Sequence, residues 1–144
     1  MIDTSNLEEA KKLIRKEKGT IIVRAKSDLF NRKLVEQEKF HVLLSPETGE
    51  GKDNLRQEDS GLNEILARIM KNKNTSLGMD IDEIRKLPSL EKAARLSKII
   101  QNIRICRKAG TNLVISGNKE NFYLLLSLGA STEQAKHAAY TPWK

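Results

Sequence analysis

Three acidic side chains stand together just beyond an apolar run, with Asp80, Asp82 and Glu83 following Thr75 to Met79. Carboxylates at the end of a buried strand are groups that hold a divalent cation or move a proton, because parallel α/β folds gather their chemistry at strand ends. Asp28 and Glu47 end two other apolar runs and would have to join them. The same acids are also ordinary turn formers. His41, inside an apolar run, and His137, among alanines, have no third ligand at metal-site spacing. Cys106, the only cysteine, excludes an internal disulfide and shares a helical face with Ile99 and Ile103, the place of a packed thiol rather than a nucleophile. Ser45 and Ser116 end strands without a Gly-x-Ser-x-Gly turn, and Gly49 to Lys52 (GEGK) lacks the spacing of a phosphate loop. These patterns assign no catalytic residue and no metal ligand.

The other chemistry on offer is electrostatic. A net charge of +7 draws the protein toward polyanions. Between Glu83 and Gly110 stand eight bases against two acids, Glu83 and Glu91. A merely solvated helix face tends to mix signs at four-residue spacing, so the one-sided charge favours a track for phosphates over an inert surface. Lys11, Lys12, Arg15, Lys16 and Lys18 form a second basic group diluted by Glu8, Glu9 and Glu17. The candidate phosphate-contacting residues are therefore Arg24, Lys26, Arg32 and Lys33 near the first strand, with Arg85, Lys86, Lys92, Arg95, Lys98, Arg104, Arg107 and Lys108 on and before the long helix. The aromatic residues are scattered, which predicts contact with nucleic-acid backbone and shape rather than base stacking. Trp143 is expected to be exposed or to pack on a partner.

Alternating periodicities supply the frame. Ser5 and Glu8 have capping-box spacing ahead of a helix that ends near Gly19. Strands are predicted at Thr20 to Ala25, Phe40 to Leu44, Thr75 to Met79 and Asn112 to Ser116. Between them fall a short helix over Asn31 to Glu38, a long exposed loop over Glu47 to Asp59, and a helix capped by Ser60 with Leu62, Ile65, Leu66, Ile69 and Met70 on its apolar stripe. A loop or short turn then leads to a helix from Leu90 to Ala109, capped by Ser89, with Leu96, Ile99, Ile100, Ile103 and Cys106 buried. Helical pieces at Glu120 to Leu128 and Thr132 to Ala139 follow, the second capped by Ser131 or Thr132. Repeated βα units imply an α/β fold with a parallel sheet, and 144 residues suit a single domain, 1–144. No apolar run is long enough to span a membrane and no leader opens the chain, so a soluble cytoplasmic protein is expected.

Ordered blocks carry a more specific resemblance: VLLSPE after the second strand, GLNEILARIMKNKNTSLGMDI, NIRICRKAGTNLVISG, and the closing LLLSLGASTEQAKHAAYTP. In this order they resemble ribonuclease P protein component 3 of archaea, the family of the eukaryotic thirty-kilodalton subunit. The resemblance implies a partial TIM-barrel-like fold of the PHP-like superfamily, with about four of the barrel's βα units and the early strands absent. It also implies a non-catalytic role beside the ribonuclease P RNA and protein component 2, with magnesium acting on the RNA and no cofactor on the protein. The chain departs from the family at Asp82-Glu83, where an arginine-proline pair is usual, and in a shorter loop after Ser116. An unclosed sheet leaves edge groups without partners. A separate polypeptide, a second copy of the chain, or an open four-stranded sheet stable by itself would each answer that. A split or degenerate metal-dependent phosphoesterase using Asp80 and Asp82 is the alternative function.

Overall fold

Residues 1–49, 59–116 and 121–141 are described by a computed structural model. Lys52, Gly117 and Trp143, with most of the loop after Glu47, lie outside them. The elements run α1 (Leu7–Lys16), β1 (Ile22–Arg24), α2 (Asp28–Gln37), β2 (Val42–Leu44), a single 3-10 turn (Pro46–Thr48), α3 (Glu64–Lys73), β3 (Ser76–Met79), α4 (Ile81–Arg85), α5 (Ser89–Ala109), β4 (Leu113–Ile115), α6 (Asn121–Ser127) and α7 (Thr132–Tyr140). The four strands form one parallel sheet in chain order, β1-β2-β3-β4, as successive βα units require. The partial-barrel α/β fold expected from the sequence is the fold observed.

Strand register decides which residues make the core. One row, Val23, Leu43, Leu77 and Leu113, faces the helices together with Met79 and Ile115, and there it meets Leu34, Met70, Ile99, Ile103 and Leu125. Burying each such side chain contributes about 1.5–3 kcal/mol, so this face dominates stability. The opposite face is smaller and also buried: Ile22, Val42, Leu44 and Val114 pack together. They crowd around Gly78, where a Cβ would lie 2.5 Å from Val42 Cγ1 and 3.2 Å from Leu44 Cδ1.

The chain itself covers both sheet edges in part. Ile2 forms a parallel bridge to Val23: its N–H donates to the Ile22 carbonyl and its own carbonyl accepts from Arg24 N–H, each at 2.8 Å. Because α1 follows it, Ile2 stands where the strand of a further βα unit would lie. At the other edge α7 packs on β4, where His137 Nδ1 lies 3.3 Å from the Leu113 carbonyl and is therefore the donor. The expectation of edges without partners is corrected to this extent.

Local chemistry moved several boundaries. Asn6, not Ser5, caps α1 by accepting from Glu9 N–H. Ser27 accepts from Phe30 N–H, so α2 begins three residues before the expected Asn31. Asn63 rather than Ser60 caps α3, because the chain first reverses at Gly61 (φ 73°), where any Cβ would stand 2.0 Å from the Pro46 carbonyl oxygen. Ser89 is the first helical residue of α5 and Pro88 precedes it. His41 sits outside β2 and is exposed, with Nδ1 accepting from Ile21 N–H. Ile65 (59% exposed) and Ile100 (36%) face solvent and not the core. Among the described residues no helix is long and apolar enough to cross a membrane.

Replacing Gly78 by Ala should destabilise the protein by about 1–3 kcal/mol through overpacking against Val42 and Leu44. Urea unfolding measures this; an unchanged midpoint would mean that the second face is not packed as described.

Candidate functional site

The carboxyl ends of the four strands are joined by one chain of polar contacts. Arg24, closing β1, donates from both terminal nitrogens to Glu83 at 2.9 and 3.0 Å. Glu83 belongs to α4, whose start is fixed because Asp80 accepts its N–H at 3.0 Å. Arg95 reaches back from α5 and donates to Glu83 at 3.0 Å, to Glu47 at 3.1 Å and to the Ser45 hydroxyl at 3.4 Å. Ser116, after β4, donates its hydroxyl to Asp80 and accepts from Ile81 N–H, while its carbonyl accepts from Asn121. Arg85 completes the line by donating to Asn121.

This arrangement explains two local oddities. Ser45 holds a left-handed backbone (φ 53°) although it is not glycine, which allows β2 to turn at once into Pro46–Thr48 and brings Glu47 under Arg95. Arg95 is almost fully buried, which an arginine tolerates only among opposite charges. Bidentate pairing with Arg24, joined by Arg95, holds the Glu83 carboxyl down at about 2. Burial pushes Glu47 the other way, upward, against the pull of Arg95. Its Oε2 is buried with no hydrogen-bond partner among the described residues.

Beside this network a cleft of about 560 Å³ opens at the ends of β1 and β2, lined by Arg24, Lys26, Ser27, Asp28, Thr48 and Asp59, among others. Its cations are engaged, Arg24 by Glu83 and Lys26 by Asp3. Burial, with Asp59 nearby, raises Asp28.

The candidate RNA-contacting residues do not converge on one site. Arg24 and Arg95 meet at the carboxyl rim, facing carboxylates. Lys26 pairs with Asp3, Arg32 with Glu36 at 3.0 Å, and Lys108 with Glu64 at 2.6 Å. Arg85 approaches Asp82 at 3.8 Å. Lys92 and Lys98 are half-buried on α5, where Arg104 and Arg107 are exposed, while Lys33 is exposed on α2 and Lys86 just after α4. Sequence reading missed that Arg95 turns inward. The signal was present: Arg95 sits four residues before Ile99, hence on the buried stripe of α5.

Metal-assisted phosphoester chemistry would need several ligands aimed at one point. Among the described residues no group of three His, Cys, Asp or Glu does this. Asp80 caps α4 and takes the Ser116 hydroxyl, Asp82 faces Arg85, and Glu83 and Glu47 are held by arginines. The residues present do not fit a metal ion. Nor is Cys106 a nucleophile, since burial pushes its thiol up to about 12.

Replacing Arg95 by Ala leaves Glu47 buried without its counter-charge and should cost about 3–5 kcal/mol of unfolding free energy. Arg95→Lys, with one point charge in place of a planar fork, should recover only part of it; full recovery would show that the fork is not needed. Because the Glu83 carboxyl is depressed from 4.5 to about 2, its stabilisation is fully present above pH 4.5 and is lost as the pH falls toward 2. The stability gap between wild type and Glu83→Gln should therefore close across that window in acid titrations, and a gap independent of pH would contradict the pairing.

No family model matches the chain. Among curated proteins it is 25% identical over 123 residues to ribonuclease P protein component 3 of Methanococcus vannielii, covering 83% of this chain and 50% of that protein. It is 26% identical over 125 residues to the counterpart from Methanococcus maripaludis, covering 85% and 51%. The Methanocaldococcus jannaschii counterpart is 28% identical over 93 residues, or 65% and 37%. The chain thus spans about half the length of the curated relatives it matches. In fold it superposes on a chain of the cryo-EM structure of archaeal ribonuclease P with mature tRNA, with TM-score 0.77 and 23% identity, covering 95% of this chain and 62% of that one. The resemblance carried by the ordered sequence blocks is borne out: over about half of that protein's length, the chain is similar to ribonuclease P protein component 3.

Proposed function

We propose that the chain acts as an accessory protein subunit of ribonuclease P, supporting the catalytic RNA as 5′ leaders are removed from precursor tRNA. The observation that carries this reading is the sequence similarity to ribonuclease P protein component 3, extending over most of the chain. Two physical features support it. The charge of +7 suits a partner rich in phosphates. The carboxyl rim, where a barrel enzyme would keep its acid and base, holds carboxylates bound to arginines, a cap and hydroxyls. In this reading bond cleavage belongs to the RNA with its magnesium, and the protein contributes contacts to RNA backbone and shape. Protein component 2 is the proposed neighbour in the complex, and the cytoplasm the proposed location. A further polypeptide or second copy would extend the sheet past Ile2, where the β1 edge is bridged at a single residue.

Tagged protein recovered from extract of its own cells should bring down ribonuclease P RNA together with protein component 2. Absence of both would refute the proposal. The split-phosphoesterase alternative predicts instead that the isolated protein turns over a phosphoester with added metal and loses that activity on Asp80→Ala.

A further inference from the structure

The two ends of the sheet carry opposite charge. In a parallel βα array each of α1, α2, α3 and α5 starts above the carboxyl end of one strand and finishes beside the amino end of the next. First turns hold Glu8, Glu9, Asp28 and Glu91; last turns hold Arg15, Lys16, Lys71, Lys73 and Arg107, while Lys108 reaches back along α3 to pair with Glu64 and belongs to neither group. Acids therefore gather at one end with Glu47, Asp80 and Glu83, where Arg24, Lys26 and Arg95 are held by carboxylates, and the other end collects bases outside ion pairs. The connections add to the basic end, since Lys18 lies before β1 and Lys39 before β2.

These bases form a continuous rim. Ile21 bonds to His41, Ser76 N–H donates to the His41 carbonyl, and Leu77 N–H donates to the Asn112 carbonyl, so the residues entering all four strands lie side by side. The Lys71 side chain lies over Gly110, tying the end of α3 to the end of α5. Among the described residues Lys16, Lys18, Lys39, Lys71, Lys73 and Arg107 are in no ion pair. Of the acids beside these strand starts, Glu38 is taken by Arg15 and Glu36 by Arg32, and Glu17 stands between Lys16 and Lys18. Helix dipoles subtract only about half a unit of charge per helix end, less than the one or two full cations before each strand. The end stays positive.

From this polarity we infer that the amino-end rim of the sheet, built by Lys16, Lys18, Lys39, Lys71, Lys73 and Arg107, is the surface that docks folded RNA through its phosphates. The inference rests on the proposed ribonuclease P role and adds which face meets the RNA. It also moves the interface away from Arg24 and Arg95, whose guanidiniums are held by Glu83 and Glu47. Pairing within the protein leaves those two little charge for a phosphate, whereas an exposed lysine releases a counterion from RNA for each contact it makes.

Anisotropy titrations of a labelled transcript of an archaeal ribonuclease P RNA, using the full 144-residue chain, test this directly. The combined Lys71→Ala, Lys73→Ala and Arg107→Ala variant should bind about tenfold or more weakly, with a salt dependence flatter by about two to three in log-log slope. Lys86→Ala with Lys92→Ala, at the acidic end, should change affinity less than about threefold. Far-UV circular dichroism should match wild type for both variants, since all five positions lie outside the buried core. If the first variant binds like wild type, or the second loses as much, the assignment of the face is wrong while the accessory role stands. If wild type ignores the RNA even at low salt, the accessory role itself fails and the inference with it.

Discussion

A buried guanidinium organises the carboxyl end of this sheet. Arg95 lies on the inward stripe of α5, where leucine or isoleucine would ordinarily sit, and its charge can stay there only because Glu47 and Glu83 meet it. That requirement fixes the rotation of α5, the immediate turn after β2 and the setting of α4. It also draws Arg24 of β1 into the same line through Glu83. Desolvating Glu47 opposes the pairing, so the network is better understood as specifying one arrangement of four strand ends than as a large source of stability.

The consequence for function is a division between the two ends of the array. A TIM-barrel enzyme keeps reactive groups at the carboxyl rim. Here Glu47, Asp80 and Glu83 are engaged by arginines, a helix start and a hydroxyl, and among the described residues no three ligands converge. The fold survives with its reactive end closed by mutual neutralisation. Parallel topology collects the C-termini of α1, α2, α3 and α5 at the opposite end, and with them bases that complement helix dipoles.

Much of the architecture was legible in the sequence. Apolar β-branched runs marked the four strands, and the parallel order followed from the helical stretches between them. Misplaced details share a physical cause: competition between neighbouring polar residues that tertiary contacts resolve. Asn6 outcompeted Ser5, and Gly61 against Pro46 delayed α3 until Asn63 could cap it. The Ile2 bridge was invisible because a single residue has no periodicity. At the site, the sequence showed the excess of cations without showing their partners. Glu64, Glu83 and Asp3 neutralise candidates across the fold, and such pairings depend on three-dimensional proximity, whereas Glu36 stands four residues from Arg32 on α2, a spacing readable in the sequence.

The central claim is that the protein assists an RNA catalyst without cleaving bonds itself. Reconstituted cleavage of precursor tRNA tests it most directly, with archaeal ribonuclease P RNA and protein component 2 present and this chain added or withheld. The account predicts faster leader removal when the chain is added and no cleavage by the proteins without RNA. Cleavage that persists without the RNA, or a rate indifferent to the chain, would contradict it.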